Sequence, residues 1–78
     1  MSRNVDGTRR EQVFDFIVRY KSEHDGIPPT IREIAEGMGM SSTSTVVYYL
    51  TRLAKDGKIQ MMAGARGIMV TGGQWQYR

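Results

Sequence analysis

The sequence predicts a mainly α domain with a small β-hairpin: three helices, then two short antiparallel strands. Three observations carry this. Apolar residues recur at helical spacing in three segments, each opened by a hydroxyl residue and closed at a glycine. Only a few residues separate the second segment from the third. After the third, two short apolar runs flank a glycine-rich tip. With 78 residues, 40% of them hydrophobic, the chain can bury one compact core but not a deep cleft beside it. Residues 1–7 read as a flexible amino terminus, 8–71 as the domain, and 72–78 as a tail beyond the Gly72-Gly73 hinge.

Thr8-Arg9-Arg10-Glu11 reads as a capping box opening the first helix, which should run to about His24. Val13, Ile17 and Tyr20 form its apolar stripe, widened by Phe14 and Phe16. Arg9, Arg10, Asp15, Arg19 and Glu23 point away from it. Gly26 suits a left-handed cap. Ile27-Pro28-Pro29 cannot be helical, because each proline pushes its predecessor to extended geometry. It is a short extended link or a minimal strand. Thr30-Ile31-Arg32-Glu33 is a second capping box, opening a helix to about Met38 that buries Ile31, Ile34, Ala35 and Met38. Gly37 inside it costs up to ~1 kcal/mol against alanine, which a close backbone approach would explain. Gly39 ends this helix, with Met40 folding back as the apolar partner of the cap.

The third helix occupies 42–56. Ser41-Ser42-Thr43-Ser44-Thr45 favours a first turn, because hydroxyl side chains bond nearby backbone groups. Ser42 is the expected N-cap, with Ser41 the alternative. Val46, Tyr49, Leu50, Leu53 and Ala54 make the packed stripe. Ser44, Thr45, Val47, Tyr48 and Thr51 fall mostly off it. The first half of the helix is almost uncharged, and Arg52, Lys55 and Lys58 follow. Such a helix suits a base-pair groove at its front and phosphates at its rear; it also suits a plain surface helix with a serine-rich start. Gly57 closes it. Residues 59–62 and 67–71 are the strands, with Ile59 and Met61 on one side and Ile68 and Val70 opposite them. Gly64-Ala65-Arg66-Gly67 is the tip.

Charge is unevenly spread within the net +3. Residues 1–40 hold six basic and seven acidic side chains; residues 41–78 hold five basic ones and only Asp56 as an acid. A basic second half favours a polyanion. The absence of cysteine excludes disulfides and thiolate metal sites. No apolar run reaches membrane-spanning length and no leader opens the chain, so a soluble intracellular protein with no membrane association is expected. Enzyme chemistry finds no support. His24 is the single histidine and sits at a helix end, the serines have no histidine or evident lysine partner, and Asp15, Glu33 and Glu36 read as solvated or capping carboxylates. No phosphate loop or metal spacing occurs, so no cofactor, metal or small-molecule ligand is expected.

Three helices and a hairpin form the winged helix-turn-helix order. The residues also resemble one family. Gly26-Ile27-Pro28-Pro29-Thr30, Glu33-Ile34-Ala35, Gly39, Leu50-Thr51-Arg52-Leu53-Ala54 leading to Gly57, and Gly64-Ala65-Arg66-Gly67-Ile68 are similar to the amino-terminal domain of LexA-type repressors, and Gln12-Val13-Phe14-Asp15 matches too. The likeness spans roughly residues 8 to 70. It implies a bacterial or phage-encoded cytoplasmic DNA-binding repressor. The amino-terminal half of its recognition helix would enter the major groove, here Ser42, Ser44, Thr45, Val47 and Tyr48. Its basic position near the helix end falls on Lys55 and its wing arginine on Arg66. A family member carries an asparagine and acidic residues in this helix where this chain has Ser44, Val47 and Tyr48, so a different operator is expected. The wing tip is one residue shorter. The family's self-cleaving peptidase half, with its serine nucleophile and lysine base, is not expected here.

The chemistry of the residues agrees with that implication. Ser42, Ser44 and Thr45 can donate to or accept from base edges, and the methyls of Thr45 and Val47 suit thymine methyls. No arginine stands on the helix front to grip guanine. Affinity would then rest on phosphate contacts, on the wing, or on a homodimer over a palindromic site of double-stranded DNA. Arg52 and Lys55 are the phosphate candidates. Thr30, at a helix amino terminus, is a third, and Arg66 could enter a minor groove. The alternative is a protein-interaction module using Val47, Tyr48, Tyr49 and the Trp75/Tyr77 tail.

Overall fold

The structure is a computed structural model that describes residues 5–62 and 66–71, with side chains described from Thr8 onward. Its elements run α1 (Val5–Glu23), α2 (Ile31–Met38), α3 (Thr43–Lys55), β1 (Ile59–Met61) and β2 (Ile68–Val70). This is the expected order, mainly helical with one two-stranded hairpin.

α1 begins earlier than its expected cap. Thr8 lies inside the helix and is exposed, so the Thr8–Glu11 capping box does not open it, and residues 5–7 are helical. Extending a helix that is already anchored costs far less than nucleating one, so a hydroxyl need not stop it. The helix ends as expected: the Gly26 amide donates to the Lys21 carbonyl at 2.7 Å, with φ of 84° at Gly26. Residues 27–30 are an extended link and add no strand to the described sheet.

α2 opens on the complete capping box. The Glu33 amide donates to Thr30 Oγ1 at 3.0 Å, and the Thr30 amide donates to Glu33 Oε1 at 2.8 Å. It closes on Gly39, whose φ of 70° lets the Met40 amide reach back to the Ala35 carbonyl at 2.8 Å. Within α2, a methyl placed on Gly37 would overlap the ring of Phe16, so the glycine lets α1 and α2 approach.

The core joins all five elements. Val13 and Ile17 of α1, Ile34 and Ala35 of α2, Val46, Tyr49, Leu50 and Leu53 of α3, Ile59 of β1 and Ile68 of β2 form one buried cluster. Phe14, Phe16, Ile31, Met38, Met40, Ala54 and Val70 pack partly buried around it. Tyr20 stays at the edge, its ring stacked on His24 at 3.8 Å between centroids. Arg10 is drawn in rather than pointing away: its Nε lies 3.5 Å from Asp56 Oδ2, just after α3. Nearby, Lys58 Nζ stands 5.5 Å over the Phe14 ring.

The hairpin pairs Ile59 with Val70, Gln60 with Met69 and Met61 with Ile68. The four expected residues thus share one face, which is covered unevenly. Ile59 and Ile68, diagonal to each other across the ribbon, are buried, Val70 is half-buried and Met61 is exposed. Thr71 secures the return, its amide donating to the Lys58 carbonyl at 2.9 Å and its hydroxyl to the Gly57 carbonyl at 3.0 Å. Of the expected tip, Gly64 and Ala65 lie outside the described residues, as does the Trp75/Tyr77 tail.

Candidate nucleic-acid interface

α3 stands on the body with one face buried and the other open. Its start is fixed by Ser42, in extended geometry, whose Oγ accepts the Ser44 amide at 3.1 Å. The Ser42 hydroxyl proton is still available for a partner, because capping uses only the oxygen. At 100° per residue, Val46, Tyr49, Leu50 and Leu53 turn inward, and all four are buried. The opposite arc carries Val47, Thr51, Ser44, Lys55, Tyr48, Arg52 and Thr45 in angular order, and every one is exposed.

Two of these are apolar or aromatic. Val47 is 40% exposed and Tyr48 47% exposed. The Tyr48 ring is braced edge-on by buried Tyr49, at 5.2 Å and 68°, which limits the directions it can take. Thr51 is less free: its hydroxyl donates to the Val47 carbonyl at 2.8 Å. The front of α3 therefore offers hydroxyls at Ser42, Ser44 and Thr45, a methyl pair at Val47 and a phenol at Tyr48. Arg52 and Lys55 lie on the same arc one to two turns on, and neither forms an ion pair among the described residues. The structure thus gathers seven of the nine expected site residues on one helix.

The other two stand elsewhere and are already engaged. Thr30 caps α2: its amide donates to Glu33 Oε1 and its hydroxyl oxygen accepts the Glu33 amide. Arg66, expected as a free cation on the hairpin, is folded back onto the body. Its Nη1 donates to Glu33 Oε1 at 2.9 Å and to the Pro28 carbonyl at 2.8 Å, and its Nη2 to Glu33 Oε2 at 3.0 Å. A fork-on-fork pair with a carboxylate is a strong attraction for a guanidinium that stands this close.

Glu33 is the residue that sequence reasoning undervalued. It reads as half of a capping box, and it is also the anchor of a side chain 33 positions away. The hydrogen bonds from Arg66, then from the Thr30 amide, hold its carboxyl at about 2, well below the usual value of 4.5. Arg66 is pushed further above its already high value, chiefly by Glu33. Nothing local to either residue signals the pair, whose members lie 33 positions apart.

Among the described residues no cluster of His, Cys, Asp or Glu could hold a metal ion, and no helix is long and apolar enough to cross a membrane.

Comparison with known proteins places this arrangement. The family model described as the LexA DNA binding domain matches residues 7–67. The LexA repressors of Burkholderia cenocepacia (strain HI2424), Burkholderia mallei (strain NCTC 10229) and Burkholderia vietnamiensis (strain G4 / LMG 22486) are each 45% identical to the chain over 65 residues. Those residues are 82% of this chain and 30% of each relative, so the chain spans under a third of the length of the relatives it matches. The match runs from the first turns of α1 through the helix pair and into the hairpin, over the same elements that present the open front of α3, and on that ground the chain belongs to the LexA DNA-binding domain family.

Proposed function

We propose that the chain is a sequence-specific reader of double-stranded DNA that acts as a transcriptional repressor in the bacterial cytoplasm. α3 enters the major groove with Ser42, Ser44, Thr45, Val47 and Tyr48 against base edges. Arg52 and Lys55 neutralise flanking phosphates. The observation that carries this reading is the open front of α3, hydroxyl-rich and uncharged for its first two turns, with cations only behind it. Membership of a family described as DNA-binding and the repressor names of the relatives support it.

The hydroxyls discriminate bases weakly one at a time, since none forms a two-pronged contact of the Arg–guanine kind. Specific affinity then comes from summing contacts over two copies on a pseudo-palindrome. Arg66 is not counted as a phosphate contact, because Glu33 holds it, whereas the amides that open α2 beside Thr30 are a further phosphate site on this reading.

Selection of bound sequences from random duplex DNA tests this. Enrichment of a motif with two related half-sites is the expected result. Retention of all sequences equally would leave only backbone binding. Failure to retain any duplex, with salt-insensitive binding to a protein instead, would replace the reading by that of an interaction module.

A further inference from the structure

The hairpin is held to the body in two ways. Ile59 at its base and Ile68, the partner of Met61 at the far end of the paired strands, are buried in the core. Met61, Met62 and Met69 are exposed, and beyond the last pair the described side chain that reaches back to the body is Arg66. It touches the link before α2 through the Pro28 carbonyl and the first turn of α2 through Glu33. Glu33 is itself held by the Thr30 amide. The guanidinium therefore ties the hairpin to two adjoining parts of the scaffold that also positions α3, the link before α2 and the first turn of α2.

We infer that Arg66 serves DNA binding as a positioning residue: by gripping Glu33 and the Pro28 carbonyl it fixes where the wing stands relative to α3. The inference rests on the DNA-reading function proposed above. A planar fork suits the role better than a lysine would, because it meets both carboxylate oxygens and a carbonyl at once. Use of the same side chain as a phosphate contact would leave the Glu33 carboxylate unpaired beside the DNA, at a cost in repulsion that works against binding. Glu33 is thus a second positioning residue, acting through Arg66.

The sign of one substitution separates the two roles. Glu33→Gln keeps the capping box, since glutamine serves at that position, but weakens the grip on Arg66. Kd is measured across a salt series for the parent, Arg66→Ala, Glu33→Gln and the double variant. The probe is the duplex recovered by selection, or a mixed-sequence duplex if no motif emerges. The expected result is that each single variant binds about three- to ten-fold more weakly and that the double variant is no worse than the weaker single one. The slope of log K against log salt stays at the parent's value, because no phosphate contact is lost. Amide exchange in β2, measured without DNA, quickens in both single variants while that in α3 does not. Tighter binding by Glu33→Gln, or a slope reduced by about 0.9 in Arg66→Ala, makes Arg66 a phosphate contact and overturns the inference. Unchanged β2 exchange overturns it as well, with or without DNA. A parent that binds no duplex, yet shows the exchange effect, refutes the DNA reading and leaves the tether itself standing.

Discussion

Gly37 of α2 faces the ring of Phe16 of α1 with no room for even a methyl group between them. The helix-breaking cost of the glycine is accepted for the sake of that approach. Gly37→Ala gains up to ~1 kcal/mol in helix propensity. It also pushes Phe16 out of its place against Tyr20, where the ring centroids are 6.1 Å apart, at an overpacking cost of about 1–3 kcal/mol. The net expectation is a loss of about 1 kcal/mol in urea unfolding. In a Phe16→Leu background the same substitution becomes neutral or stabilising. A stabilising Gly37→Ala in the parent would mean that the ring moves aside freely.

Leu50 is fully buried where α3 meets the core, so it tests whether the stripe assigned from spacing is what holds the reading helix. Leu50→Ala should cost about 2–5 kcal/mol. Val47→Ala, one turn away on the open face, should change stability by less than about 0.5 kcal/mol. Thermal unfolding of the two variants side by side checks the contrast. Similar losses would place Val47 inside the body.

The same Val47→Ala, and Ser44→Ala, should shift which bases are preferred, by about 1 kcal/mol at the affected position. Arg52→Ala and Lys55→Ala should weaken binding to all sequences alike and each lower the salt slope by about 0.9. Repeating the selection with each variant reads the first effect, and a salt titration reads the second. Equal weakening of every sequence by Val47→Ala would remove it from the base-reading set.

Acid should loosen the wing before it unfolds the domain. Glu33 titrates at about 2 in the fold against 4.5 ordinarily, because Arg66 and then the Thr30 amide bond its charged form. A depressed folded value gives stability that is fully present above 4.5 and is lost as pH falls toward 2. The pair is solvent-screened, so its share of the total is small. The parent should therefore exceed Glu33→Gln in stability at neutral pH, with the gap closing between pH 4.5 and 2. Denaturant melts of both proteins through that window measure it, and a gap independent of pH would show that the carboxylate charge is not its source.

What the sequence revealed was mostly local. Thr30 with Glu33, Gly39 with Met40, and Ser42 with the stripe of Val46, Leu50 and Leu53 each declare themselves within a few residues, and the structure forms all of them. The start of α1 was misplaced because a capping box marks a favourable start without forbidding an earlier one. The exposure of Met61 did not follow from alternation, which assigns a face but not which member of a cross-strand pair the core covers: Ile68 opposite it is buried. The fate of Arg66 was hidden for a similar reason: its partners at 28 and 33 become neighbours only once the hairpin has folded over α2. The uncharged front of α3 needed no such contact, and so it could be read from the chain directly.

Between Met38 and Thr43 only four residues separate α2 from α3, and a left-handed glycine and a serine cap fix both ends of that span. Buried side chains from all the other elements close on the inner face of α3. On the proposed DNA-reading function, α3 meets the duplex as an unbending prong. Any mismatch of curvature must then be absorbed by the nucleic acid, so base steps that flex easily would be favoured even at places no side chain reaches.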